Sequence, residues 1–246
     1  MTTRFDLAAK IEPFDSFWEA PKQVEKGYRT FAQFYRRNYL KYLPPDRNSK
    51  ILVISCGPGY FVDLLNREGY LDVTGIDSFP DKVRFATERG LNCRVETAFD
   101  YLEDGSPPVD VIIAEQEINH LTKEEILVFL DLCLKNLKPG GTLLVHTLNG
   151  ANPITGAEAL AQNFNHYNTF TESSLRQVLE HSGFLDIQVF PLNLYVFYGN
   201  PLNYVALLMD RINSLVFRAN FILYGKSNRI FTKKIAAAAR KGGDAP

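Results

Sequence analysis

Residues 51–61 read ILVISCGPGYF, a run of β-favouring apolar residues that ends on Gly57-Pro58-Gly59. A strand that stops at a turn of small residues and passes at once into a helical pattern from Tyr60 opens a βα unit. Its backbone N–H groups and helix N-terminus can approach an anionic group. A phosphate-binding P-loop is set aside, because no Gly-Lys-Ser/Thr follows. Bulky Val62 stands where a dinucleotide fingerprint needs a third small residue, so a nicotinamide oxidoreductase is the least supported reading.

Downstream of this turn, strand-like and helical runs alternate: DVTGID, a helix over 79–89, NCRVE, a short helix near Phe99, then VDVIIAE. The helix TKEEILVFLDLCLKNL carries Thr122 and Glu125 as a capping box, and KPGG turns the chain into TLLVHTL. This is the alternation of a parallel sheet with crossover helices on both faces, whose ligands lie beyond the carboxyl ends of the strands. Asp77 ends the second strand about 20 residues after Gly57, the place from which a carboxylate accepts both hydroxyls of a ribose. Capping of the next helix is the alternative role for Asp77.

Upstream, residues 17–43 place Tyr28, Phe31, Phe34, Tyr35 and Tyr39 at helical spacings, up to Pro44-Pro45. Trp18 and Tyr28 on this helix either close a site or pack it onto the core. Near the other end, Asn200-Pro201 starts a helix with Leu202, Val205, Met209, Ile212, Val216 and Ala219 at near-helical spacing. From Asn200 onward eight basic residues face only Asp210 and Asp244. The segment reads as a lid, as a homodimer surface, or as a peripheral contact with an anionic membrane.

With 246 residues, 46% of them hydrophobic, the chain can bury a full core, and no linker or repeat divides it. One domain is expected over 1–246: a helical cap at 1–47, the core at 48–190, and a lid helix with the final strand at 191–246. The formal net charge of -1, with the excess of basic over acidic residues confined to the tail, argues against nucleic acid. Cys56, Cys93 and Cys133 are odd in number and lack metal-ligand spacing, so neither a disulfide framework nor a metal site is expected. They suit a reducing cytoplasm. No apolar leader opens MTTRFDLAAK, and SLVFRANFILY is interrupted by Arg218 well short of the ~20 residues of a span. The expectation is a cytoplasmic protein that is neither secreted nor membrane-spanning.

In their order, ILVISCGPGYF, GYLDVTGIDS, VDVIIAEQEINHL, LKNLKPGGTLLV and FTESSLRQVLEHSGF resemble the class I S-adenosylmethionine-dependent methyltransferases. The resemblance covers roughly residues 48–190. It implies a Rossmann-like α/β fold with a seven-stranded, mostly parallel sheet, FLDIQVFPL and RIFTKKIAAAARK supplying its last strands and the final one running antiparallel. It also implies S-adenosylmethionine as cofactor. Ser55, Cys56, Gly57, Gly59 and Tyr60 would border its methionine part, Asp77 and Ser78 the ribose, and Thr97, Ala98 and Phe99 the adenine, with Tyr28 over the site. Two positions depart from the family pattern: Val53 stands for an acidic residue and Ser55 for the first glycine. Losing a carboxylate beside the cofactor's ammonium removes a charge-assisted hydrogen bond of ~1.5–3 kcal/mol. Either another acid or polar group compensates, with Glu115, Gln116 and Glu117 at the end of the fourth strand as the candidates, or the site binds the cofactor weakly or not at all.

Methyl transfer from a sulfonium is an in-line displacement, so an oxygen acceptor must lose its proton as it attacks, and a neutral histidine suits that task. His120, His146 and His166 should lie at the carboxyl end of the sheet, with His120 and His166 the leading bases; His181 belongs to a helix C-terminus. The loop over 149–170 offers Asn149, Asn152, Asn163, Asn165 and Asn168 with Phe164, Tyr167 and Phe170, a mixture that suits a hydroxyl-rich acceptor or simply makes turns. This loop followed by FTESSL resembles methyltransferases associated with bacterial surface polysaccharides. The leading expectation is thus O-methylation of a sugar or glycolipid-type acceptor. Methylation of a small metabolite at nitrogen or oxygen comes second, and a non-catalytic binding protein of the same fold third.

Overall fold

In the computed structural model, β1 (Lys50–Ile54), β2 (Asp72–Asp77), β3 (Cys93–Val95), β4 (Val109–Glu115), β5 (Leu137–Leu148), β6 (Leu185–Pro191) and β7 (Lys234–Arg240) form a single sheet. Residues 21–115, 117–161, 166–193 and 201–243 are described. Strand order is β3-β2-β1-β4-β5-β7-β6, and β7 runs antiparallel to both neighbours. The helices are α1 (Pro21–Asn38), α2 (Tyr60–Arg67), α3 (Pro80–Glu88), α4 (Ala98–Glu103), α5 (Lys123–Asn136), α6 (Glu158–Ala161), α7 (Glu172–His181) and α8 (Leu202–Leu223). The expected seven-stranded Rossmann-like fold with an antiparallel last strand is the fold observed.

Alternation along the strands sorts the core into two layers, because successive side chains point to opposite faces. Ile51 and Val53 of β1, Val111 and Ile113 of β4, and Ala236 and Ala238 of β7 pack with α1, α2 and α3. Leu52 and Ile54, Ile112 and Ala114, and Ala237 and Ala239 pack with α4, α5 and α7. Helix α5 starts at the Thr122–Glu125 capping box, and α7 at a reciprocal Thr171–Ser174 box. Val53 is fully buried in the first layer, which explains an apolar residue where the family pattern has an acid.

Val62 fits for a reason on the neighbouring strand. A Cβ at Gly75 of β2 would lie 2.9 Å from Val62 Cγ2, so the small residue that close helix packing demands is on the sheet instead of on the helix. One expectation is corrected: KPGG does not separate α5 from β5. The strand begins at Leu137, and the tetrapeptide forms an irregularity inside it, with Val109 paired to Leu137 and Val111 to Thr142. Gly140, at φ 74°, donates to the Lys241 carbonyl and keeps the edge closed.

Candidate active site

The turn after β1 is left-handed at three positions: Ser55 (φ 57°), Gly57 (φ 52°) and Gly59 (φ 79°). Serine is costly in that region, by about 1–2 kcal/mol, which is why glycine is the usual residue there. Ser55 holds the conformation while its hydroxyl donates to the Glu117 carboxylate. At Gly59 a Cβ would come within 2.8 Å of Leu91 Cδ1, so the α2 N-terminus needs glycine for space as well as for its dihedral angles. A Cβ at Gly57 would meet nothing within 4 Å, so the turn faces open space there.

Asp77, buried at the end of β2, accepts from Gly57 N and from Phe79 N, both at 2.9 Å. The two readings of Asp77 meet in this geometry. One oxygen organises the turn and the other the entrance to α3, and each keeps a lone pair for a further donor. Ser78 beside it is exposed. Cys56 points the other way: its sulfur, like that of Cys93, lies against Gly75, where an added Cβ would come within 2.9 Å of each. Cys56 is thus a core thiol whose pKa is raised by its hydrogen bond with Cys93 and then by burial.

Helix α1 roofs the turn. The Tyr28 hydroxyl donates to the Pro58 carbonyl at 2.6 Å, and Arg89 bridges Glu25 of α1 to Asp63 of α2 while its guanidinium lies over the Tyr28 ring. Gly27 lets the helices close up, since a Cβ there would lie 2.4 Å from the Tyr60 ring. Tyr60 is accordingly buried between Tyr28 and Phe31, in packing and not on an open surface. Trp18 and Gln116 lie outside the described residues.

Of the three residues expected near adenine, two belong to the core: Ala98 and Phe99 are buried, and Phe99 packs edge-on against Phe129. Thr97 caps α4 by accepting from Asp100 N, and its hydroxyl donates to the Asp100 carboxylate.

Acids crowd the carboxyl edge of the central strands. Tyr35 of α1 donates to Glu115 at 2.8 Å, yet burial pushes the Glu115 pKa up to about 7, with the Asp77 charge adding to the rise and Lys234 opposing it. Burial also raises Glu117, again with an Asp77 contribution, despite the Ser55 hydrogen bond. Asp77, Glu115 and Glu117, with the Asp77 charge raising the pKa of both glutamates, form around an open glycine turn a set of acceptors suited to a cationic ligand that also carries hydroxyls.

The sheet mouth separates the histidines. His146, opposite Glu115 in the β4–β5 register, is buried; its Nδ1 lies 2.7 Å from the Tyr39 hydroxyl, and its Nε2 is buried without a partner among the described residues. Burial holds its pKa well below the usual range, so it is a neutral ring at the carboxyl edge of the sheet but sealed under α1. His120 and His166 are brought together, with ring centroids 4.8 Å apart. His166 Nδ1 lies 2.7 Å from the Ala159 carbonyl.

Asn119 makes that pairing. It is fully buried, donates to Thr147 Oγ1 at 3.0 Å and to the Asn168 carbonyl at 2.8 Å, and its own carbonyl accepts from Tyr167 N. The 3-10 turn Glu117–Asn119 therefore directs Glu117 to the glycine turn after β1 at one end and presents His120 to His166 at the other.

The asparagines of the following loop are less available than expected. Asn149 donates to the carbonyls of Ile230 and Thr232, Asn152 donates to that of Phe231, and Asn168 donates to that of Leu121. Asn149 is fully buried and Phe170 belongs to the core, so neither offers an acceptor surface. Tyr167 stays 46% exposed beside His166. Asn163, Phe164 and Asn165 lie outside the described residues.

What sequence reasoning missed is the pair of phenol hydroxyls that reach the strand ends, Tyr35 of α1 to Glu115 and Tyr39, just beyond α1, to Nδ1 of His146. Tyrosine in place of phenylalanine at two positions four apart was the available signal, since a buried hydroxyl needs a partner.

A family model described as a methyltransferase domain matches residues 27–189. The ubiquinone biosynthesis O-methyltransferase of Xylella fastidiosa (strain 9a5c) is 30% identical over 146 residues, 57% of this chain and 58% of that protein. The mitochondrial ubiquinone biosynthesis O-methyltransferase of Homo sapiens is 30% identical over 131 residues, 47% of this chain and 35% of that protein. This chain thus spans less than two thirds of the length of these curated relatives. Their names point to ubiquinone biosynthesis, where the sequence pointed to surface polysaccharides. A crystal structure of a SAM-dependent methyltransferase from Archaeoglobus fulgidus superposes with a TM-score of 0.64 at 20% identity, covering 87% of this chain and 94% of that one, a likeness of fold. By the motif order, the seven-stranded topology and the matching family model, this chain belongs to the methyltransferase domain family and is a class I enzyme whose cofactor is S-adenosylmethionine.

Proposed function

We propose that the chain methylates an oxygen of a small acceptor bearing an acidic hydroxyl, such as a phenol, with His166 as the base that takes its proton. The observation that carries this reading is the 2.7 Å contact from His166 Nδ1 to the Ala159 carbonyl. A carbonyl only accepts, so Nδ1 carries the hydrogen and the neutral ring keeps a lone pair on Nε2. The names of the curated relatives support oxygen as the methylated atom.

Bound S-adenosylmethionine supplies a methyl group on a sulfonium; the remaining work falls to the protein. Asp77 accepts from the ribose hydroxyls with the lone pairs left over from Gly57 and Phe79. Glu117, held by Ser55, takes the ammonium in place of the acid missing at Val53, and Glu115 adds a second negative charge. Tyr28 and the rest of α1 exclude water, which strengthens each of these interactions. The acceptor hydroxyl would give its proton to His166 Nε2 as its oxygen takes the methyl group, the carbon–sulfur bond breaking to leave a neutral thioether, with the His120 ring beside that of His166.

A sugar acceptor is the second reading, favoured by the exposed face of Tyr167, on which a sugar ring can stack. Incubation with methyl-labelled S-adenosylmethionine and parallel panels of catechols, simple phenols and nucleotide-sugars separates the two. Label entering phenols, and lost in His166→Asn with cofactor affinity retained, supports the proposal. Label entering only nucleotide-sugars overturns the acceptor class, and an active His166→Asn overturns the base.

A further inference from the structure

Helix α8 is apolar on the side that faces away from the protein. Its half-buried stripe contains Leu207, Asp210, Ser214, Phe217 and Phe221, and Phe221 packs edge-on against Phe231 at 4.7 Å. The opposite side exposes Val205, Leu208, Met209, Ile212, Leu215 and Val216, with Leu208 58% and Leu215 68% accessible. At 3.6 residues per turn these residues make one stripe along a helix of 22 residues, about 33 Å in length. Soluble monomers rarely expose a contiguous apolar surface of this extent.

The charges on the helix distinguish the possible covers. Arg211 and Arg218 are exposed along one border of the stripe, and no ion pair is formed by either among the described residues. Lys226 and Arg229 are exposed just beyond the helix. The only acid of α8, Asp210, is on the protein-facing side. If two copies paired antiparallel, the arginine border would meet itself; if they paired parallel, it would meet the opposite border, which has no acid. Self-association therefore leaves the arginines without a counter-charge, whereas a layer of lipid phosphates supplies one.

We propose that this face of α8 lies in the interfacial layer of an anionic lipid bilayer, its apolar side chains among the upper acyl chains and Arg211 and Arg218 at the headgroup phosphates. No helix among the described residues is long and apolar enough to cross a membrane, so the helix lies along the surface. Its placement relates this contact to the active site. Strand β6 runs parallel to β5, and β7 starts at Lys234 opposite Leu148, so α8 leaves from and returns to the carboxyl edge of the sheet. Asn149 and Asn152, which begin the loop leading to His166, grip the Ile230–Thr232 carbonyls that follow α8. Docking of α8 sets the mouth of the site at the lipid surface, whichever acceptor is used.

Flotation of the full chain with vesicles of phosphatidylcholine alone, or of phosphatidylcholine with phosphatidylglycerol, tests this at low and high salt. The expected result is flotation with the anionic vesicles that weakens as salt rises. The Arg211→Gln/Arg218→Gln variant should bind them about fivefold more weakly for each arginine removed, and Ile212→Glu/Leu215→Glu should not float. Both variants should keep the wild-type circular dichroism spectrum and cofactor affinity. Wild-type protein that stays unbound at low salt overturns the proposal, as does flotation unchanged in Ile212→Glu/Leu215→Glu. A solution dimer that this variant dissociates, measured by sedimentation equilibrium, assigns the face to a second copy and also overturns it.

Discussion

The Tyr28 hydroxyl donates to the Pro58 carbonyl at 2.6 Å, fastening α1 to the glycine turn after β1. Tyr28→Phe removes the donor and leaves a carbonyl unsatisfied under α1, a loss of about 1–3 kcal/mol. The melting temperature should fall by about 2–4 °C for each kcal/mol lost. Cofactor affinity, read by calorimetry, should fall with it. An unchanged affinity would mean that the roof does not order the turn.

Ser55 combines an unfavourable left-handed backbone with a hydrogen bond to Glu117. Ser55→Gly should relieve about 1 kcal/mol of backbone strain while freeing the Glu117 carboxylate. The expected outcome is a variant no less stable than the parent that binds S-adenosylmethionine more weakly. Glu117→Gln should also weaken binding, by about tenfold or more. It should leave the affinity for 5′-methylthioadenosine, which has no ammonium, within twofold of the parent's, by the rule that a deleted contact affects only ligands that make it.

Glu115 predicts a pH dependence. Its folded pKa of about 7 lies above the ordinary 4.5, so the folded state holds the proton more tightly than the unfolded chain does. The stability this group contributes is complete below about 4.5 and is lost as pH rises through about 7. His146 has the opposite sense: its folded pKa is depressed, so its contribution is present above 6.5 and is lost as pH falls through the lower folded value. Melting temperatures measured from pH 5 to 8 should show Glu115→Gln declining less toward the alkaline side than the parent. At pH 7, calorimetry in buffers of different ionisation heat should find proton release on cofactor binding to the parent and none for Glu115→Gln.

Asn119 predicts a split between affinity and turnover. Asn119→Ala removes the contacts to Thr147 and the Asn168 carbonyl that bring His166 beside His120. Two buried partners left unsatisfied amount to about 2–6 kcal/mol. The folded fraction should bind cofactor normally but turn over at least tenfold more slowly, in line with the cost of misplacing a catalytic group.

The first five strands were legible because each carries its own signal, whereas the last two were placed only by the family resemblance. Strands β1 and β4 are continuous apolar runs, as a sheet covered on both sides requires, and the ILVISCGPGYF turn marks where β1 gives way to α2. Strand β7 was harder, since Ile235–Ala239 has helical propensity; its place between β5 and β6, buried on both faces, overrides that preference. The acceptor loop was read less well. Asparagine has the same composition signal whether its amide faces a ligand or a carbonyl of its own chain, and only the return of residues 230–232 shows that Asn149 and Asn152 clamp a backbone. The pairing of His120 with His166, 46 positions apart, depends on Asn119 reaching the Asn168 carbonyl, a long-range contact without local signature.

The position of β7 has a consequence for biosynthesis. Strand β6 pairs with β7 and with no other strand, and β5 has no neighbour on that side until β7 arrives. While the chain is being made, the β5 edge and the whole of β6 wait with unpaired backbone for residues 234–240 to clear the ribosome. Insertion of that late segment between two earlier ones is the high-contact-order step expected to limit the rate of folding. Until it is complete, the open edges are the natural targets of chaperones and the most exposed to aggregation.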